Sequence, residues 1–65
     1  MTIKEARKAR GLTQKQMSKL MEIPFSTIAD WEQEKRTPPE YVKRLVIKEL
    51  MSFTEEEIAS VKKRD

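Results

Sequence analysis

The sequence predicts an all-α fold: a compact bundle of five short helices forming one domain over residues 1–65. Three observations lead there. Apolar residues recur at three- and four-residue steps, the one-face pattern of amphipathic helices. Thr2, Thr13, Thr37 and Thr54 each stand three residues before a Glu or Gln, the signature of a helix-opening capping box. The single glycine, Gly11, and the prolines Pro24 and Pro38 fall where those helices should stop or start.

Thr2 and Glu5 open the first helix, which ends near Arg10 with Gly11 as its left-handed stop. Ile3 and Ala6 face inward on it. So does Arg7, four residues after Ile3, and an inward arginine needs a partner because a lone buried charge is costly. Glu32 has the same problem, four residues after Ile28 and beside Trp31. The expectation is a structural ion pair between Arg7 and Glu32.

The stretch QKQMSKLMEIPFSTIADWEQ, residues 14–33, reads as two short helices joined by a tight turn. Met17, Leu20 and Met21 make the inner stripe of the first, capped by Thr13 and Gln16. Pro24 breaks the pattern and pushes Ile23 out of the helical region. The second helix covers about residues 25–33. Its Ile28 and Trp31 lie on one side, and Ser26, Ala29, Asp30 and Gln33 lie on the other. Ser18 is small where these helices cross, and Ile23 is buried between them. Neither helix is long enough to be stable alone, so they share a core and leave one surface free for an external ligand.

Thr37 and Glu40 are expected to open a fourth helix with Pro38 at its first position, running to about Met51. Its core stripe is Val42, Leu45, Val46 and Leu50, and Tyr41, Ile47 and Met51 extend the apolar surface beyond one face. Thr54 and Glu57 open a fifth helix with acids in its first turn and bases in its last, which suits the helix dipole. Its apolar residues are Ile58 and Val61 with Ala59, so it packs weakly or against a second subunit. The tentative dimerisation region is 47–65, with Ile47, Leu50, Met51, Phe53, Ile58 and Val61 as a two-fold patch. Closure of a monomer core by the same residues is the alternative.

Composition excludes several functions. The chain has no cysteine and no histidine, which removes thiolate chemistry, the commonest general base and the commonest zinc ligands. Glu55, Glu56 and Glu57 are consecutive and splay around a helix end, and no nucleophile–base constellation exists, so an enzyme is not expected. No metal, cofactor or small-molecule ligand is expected. No apolar run is long enough for a signal peptide or membrane span, and a cysteine-free chain fits a reducing cytosol, so a cytoplasmic protein is expected.

Charge is unevenly distributed although the net value is only +3. Residues 1–21 carry six bases and one acid, residues 22–34 four acids and no base, residues 35–48 five bases and one acid. Basic segments flanking the two-helix unit suit a polyanion whose backbone runs along both sides. Ordinary solvated faces of a highly charged small domain are the competing explanation.

Residues 7–42 resemble the lambda-repressor-like helix-turn-helix domains of phage repressors, Cro proteins and related bacterial regulators of the XRE type. The resemblance rests on Arg7 four residues before Gly11, the run GLTQ at 11–14, the joint spacing of Met17, Ser18, Met21, Ile23, Ile28 and Trp31, the pair Trp31-Glu32, and the segment IPFSTIADWEQEKRTPPEYV. It implies that the third helix enters the major groove with Phe25, Ser26, Thr27 and Asp30 nearest the bases. Gln14 would sit on a phosphate at the start of the second helix. Lys35 and Arg36 would hold the backbone on the other side. The Arg7–Glu32 pair is also a family feature. Members commonly bind near-palindromic double-stranded DNA operators as homodimers, with half-sites about 34 Å apart.

The sequence departs from the family in three places. Glu22 and Glu34 stand where the family usually has glycine, and a left-handed Glu at the turn is strained by roughly 1 kcal/mol. The third helix carries no Lys or Arg, and Asp30 lies on its outer face. Asp accepts from cytosine N4, and Phe25 is placed either against a thymine methyl or in the core. The leading function is a sequence-specific transcriptional regulator, a repressor acting by operator occupancy since no effector domain is attached. The alternative is a protein-interaction module, an antitoxin or adaptor that uses the helix-turn-helix as a scaffold. Residues 54–65 are short for the partner-wrapping tail of an antitoxin.

Overall fold

The computed structural model describes residues 1–64, which form five α-helices: α1 (Ile3–Ala9), α2 (Gln14–Met21), α3 (Phe25–Glu32), α4 (Glu40–Ser52) and α5 (Glu55–Arg64). Three of these helices begin on a threonine for one physical reason: the first backbone N–H groups of a helix have no partner within it. The Thr2 hydroxyl accepts from Glu5 N–H at 3.0 Å, and the Thr2 N–H donates to the Glu5 carboxylate at 2.7 Å. Thr13 and Gln16 repeat the arrangement at 3.0 and 2.9 Å, and Thr54 and Glu57 at 3.1 and 2.8 Å.

The fourth box, Thr37 with Glu40, does not form. α4 starts two residues later than the sequence pattern suggests, with Pro39 as its N-cap and no side-chain capping bond. Pro39 is the cause. A residue that precedes proline is pushed from helical to extended backbone, so Pro38 cannot be the first helical residue.

Both turns of the central unit use left-handed residues other than glycine. Glu22 closes α2 at φ 56°, ψ 39°, and Glu34 follows α3 at φ 61°. Ile23 N–H returns to the Ser18 carbonyl at 3.2 Å, and the Ser18 hydroxyl donates to the Ile23 carbonyl. A larger side chain at position 18 would lose that second bond. Gly11, at φ +69°, is the third left-handed position. Left-handed backbone costs an L-residue roughly 1–2 kcal/mol, and glycine loses about half of that advantage through its freer unfolded state. Glu22→Gly and Glu34→Gly should therefore each stabilise the fold by up to about 1 kcal/mol. Glu→Ala at the same sites, which keeps the strain, should give no such gain in urea unfolding.

The core is built from Ile3, Ala6, Leu12, Met17, Ile28, Val46, Leu50, Ile58 and Val61. α1 packs on α3 and α4, and α2 packs on α3 and α5, so the α2–α3 unit is held from both sides. Leu20, Met21, Ile23, Trp31, Val42, Ile47 and Phe53 are half-buried against this core.

Three expectations change here. Leu45 is not a core residue: it is 61% exposed, one turn from Tyr41 at 67%. Val42, Val46 and Leu50 follow one another at four-residue steps, and this narrow stripe is what α1 and its neighbours cover. Leu50, Ile58 and Val61 are not surface residues of a two-fold patch. Leu50 is fully buried, and Ile58 and Val61 are 4% exposed within the core of one chain. α5 therefore packs on its own domain, against α2, and Ala59 is exposed. Arg10 adds a latch that no periodicity reveals, donating from Nη2 to the Phe53 carbonyl at 2.6 Å, just before α5 begins.

Candidate nucleic-acid interface

Arg7 on α1 and Glu32 at the end of α3 meet as a two-pronged pair. Arg7 Nε donates to Glu32 Oε2 and Nη2 to Oε1, both at 2.8 Å. The Arg7 and Glu32 side chains are only 11% and 4% exposed. Arg7 Nη1 also donates to the Leu12 carbonyl at 2.7 Å, which ties the loop before α2 into the same centre. Gln14 Nε2 donates to Glu32 Oε1 at 3.1 Å. The Gln14 side chain is thus turned inward onto Glu32, while its backbone stands in the first turn of α2. Burial favours the protonated Glu32. The hydrogen bonds from Arg7 and Gln14, with the Arg7 charge, outweigh it and hold the carboxyl below the usual glutamate range. One network therefore joins α1, the start of α2 and the end of α3. Among the described residues no buried side-chain nitrogen or oxygen is left without a hydrogen-bond partner.

This anchoring fixes α3 by its C-terminal end and by Ile28, which is fully buried. The other end is presented outward. Phe25, the first residue of α3, is 50% exposed and does not join the core. Ser26 is exposed, and Thr27, Ala29 and Asp30 are half-exposed. Pro24 caps the helix without a side-chain bond, so the first turn of α3 is not covered by a capping side chain.

The segment after α3 is closed by its backbone. Lys35 N–H returns to the Asp30 carbonyl at 2.9 Å and Glu34 N–H to the Trp31 carbonyl at 3.4 Å, with Glu34 left-handed between them. This is the paired 6→1 and 5→2 bonding of a Schellman motif. Arg36 N–H reaches the same Asp30 carbonyl at 3.3 Å. The motif holds Lys35 and Arg36, both exposed, beside the outer face of α3. Arg36 Nε lies 3.8 Å from Asp30 Oδ2. The acid on α3 and the base after it are therefore neighbours, a relation that the one-face reading of α3 does not reveal because it depends on the chain turning back.

The residues read from the sequence as a DNA surface thus fall into two groups. Phe25, Ser26, Thr27 and Asp30 line the outward side of α3, with Lys35 and Arg36 at its far end. Gln14 is drawn to Glu32. Among the described residues no group of three or more carboxylates is placed to hold a metal ion, and no helix is long and apolar enough to cross a membrane.

Comparison with known proteins agrees with this architecture. A family model described as helix-turn-helix, HTH_3, matches residues 3–46, which is more than half of the chain and contains α1 to α3 and the first half of α4. Neither the curated proteins nor the solved structures gave a significant match. The two-helix unit of α2 and α3, its anchoring ion pair, its outward α3 face and this match together place the chain in the XRE-type, lambda-repressor-like helix-turn-helix family of DNA-binding regulators.

Proposed function

We propose that the chain is a sequence-specific repressor that acts by occupying an operator, with α3 in the major groove. The observation that carries this reading is the exposed first turn of α3, held out from a helix whose other end is locked by Arg7 and Glu32. Ser26 and Thr27 can hydrogen-bond several bases, Asp30 can accept from cytosine N4, and Phe25 can meet a thymine methyl. Lys35 and Arg36 supply phosphate contacts, and the N-terminal amides of α2 favour a phosphate on the opposite flank. With no base on α3 itself, binding is modest and strongly salt-dependent. Such a protein works in the cytoplasm of a bacterial or phage-infected cell.

The reading includes a homodimer on DNA. The chain extends only 30 Å along its longest axis. Half-sites of a palindromic operator lie about 34 Å apart, so one copy serves one half-site. Tyr41, Leu45 and Met51 on α4 are the exposed apolar side chains available for a second copy, with Ile47 and Phe53 half-buried nearby. The same exposed face supports the second reading, a protein-interaction module.

Selection of bound duplexes from a random DNA pool tests the proposal. The expected result is a palindromic consensus with half-sites one turn apart, changed at defined positions by Ser26→Ala or Asp30→Ala. No enrichment even at low salt, where phosphate attraction is greatest, would reject groove reading and favour the interaction module.

A further inference from the structure

We propose that Asp30 and Arg36 form a coupled readout, in which the correct base pair frees Arg36 for a phosphate. The inference rests on the proposal that α3 reads bases and assigns specificity to Arg36, a residue that touches no base. Asp30 is tied to the post-helix loop in two ways. Its carbonyl accepts the N–H groups of both Lys35 and Arg36, at 2.9 and 3.3 Å. Its carboxylate lies 3.8 Å from Arg36 Nε. The backbone bonds keep the two residues adjacent whatever the side chains do. The side-chain contact is of a different kind. At 3.8 Å, with Arg36 73% exposed and Asp30 32% exposed, it is a loose ion pair of the sort that contributes little to folding. Coulomb attraction favours the guanidinium lying beside Asp30, and at this distance and exposure the contact is readily exchanged.

Asp30 and a phosphate then compete for Arg36, and the Asp30 side chain lies toward either Arg36 or the base. In free protein, or on a wrong sequence, the pair neutralises itself. Asp30 then offsets part of the attraction between Arg36 and a phosphate. When the Asp30 side chain turns to accept from cytosine N4, its carboxylate moves away from Arg36, and the loose 3.8 Å contact is given up. Arg36 then turns to a phosphate, where an arginine makes strong, charge-assisted hydrogen bonds. The base contact and the phosphate contact therefore form together. A mismatch loses both, so discrimination exceeds what one aspartate–cytosine bond supplies. The absence of any Lys or Arg within α3 makes this contribution large in relative terms.

The test is a double-mutant cycle in the full chain, on the selected duplex and on one with the Asp30-dependent base pair changed. Asp30→Ala, Arg36→Ala and their combination are compared by binding titrations across salt concentration. The expected result is that Arg36→Ala weakens the selected duplex by up to about fivefold more than the changed duplex, the ceiling set by an exposed ion pair. The salt slope should fall by more on the selected duplex than on the changed one, by up to about 0.9, the value of one phosphate contact. Equal weakening and equal loss of slope on both duplexes would overturn the coupling, leaving Arg36 a plain phosphate contact. A base preference that Asp30→Ala leaves unaltered would overturn it as well. Failure to select any duplex is the separate result that rejects base reading itself. Unchanged thermal unfolding of the Arg36→Ala variant, expected from its exposure, assigns the losses to binding.

Discussion

Removing the Glu32 carboxylate should unfold most of the molecule. Glu32→Ala leaves Arg7 nearly buried beside no counter-charge, a loss of about 3–5 kcal/mol. A domain of this size has little more than that to lose. Arg7→Ala should cost a similar amount, since it strands Glu32 and also frees the Leu12 carbonyl and the loop before α2. The double variant Arg7→Met, Glu32→Leu should recover much of the loss, because an apolar pair carries no uncompensated charge. Urea unfolding of the three variants checks this. Additive losses in the double variant would show that the two residues act separately.

The same pair sets the acid limb of stability. Glu32 is held below the usual glutamate range in the folded chain. As pH falls, the unfolded chain takes up the proton first. The stability that the pair confers is therefore complete above the unfolded glutamate value, about 4.3, and is lost as pH falls through the lower folded value. Unfolding followed from pH 7 to pH 3 should show a flatter acid limb in the Arg7→Met, Glu32→Leu double variant than in the parent chain.

Charging α4 and α5 at two positions should give opposite outcomes. Ile58 is 4% exposed in the core, so Ile58→Asp buries an unpaired carboxylate and should cost several kcal/mol, detaching α5 or unfolding the domain. Met51 is 45% exposed, and Met51→Asp should change folding by no more than about 0.5 kcal/mol. On the dimer proposal, Met51→Asp and Leu45→Asp should nevertheless weaken binding to a two-half-site duplex while leaving binding to a single half-site unchanged. Circular dichroism and titrations on the two duplexes separate these effects. A folded Ile58→Asp protein would mean that α5 does not depend on its contact with the core. Equal binding of Leu45→Asp and parent chain to the two-half-site duplex would remove α4 from the dimer.

Much of this organisation is written in local sequence. The helix starts at Thr2, Thr13 and Thr54 are legible because a capping box spans only four residues and needs no tertiary partner. The inward faces of α1, α2 and α3 are legible from spacing, and so is the need of Arg7 and Glu32 for each other. What is not legible follows from contacts that form only when the chain turns back. Leu12 is a core residue in a loop, where no periodicity marks it. Arg10 capping the end of α4, and Gln14 turning to Glu32, join residues 43 and 18 positions apart. Spacing along α4 groups Leu45 with the core stripe, yet how much of a helix is covered depends on how many neighbours reach it. Ile58 and Val61 looked too few to bury α5, but α2 and the core supply the other half of that contact. The sequence by itself determined the five helices, the capping boxes at Thr2, Thr13 and Thr54 and the central two-helix unit, since those depend on interactions within a few residues. Only the tertiary structure decided that Leu12, Ile58 and Val61 are interior and Leu45 is not, and that Asp30 and Arg36 are neighbours, because packing joins distant positions through the shape of the whole chain.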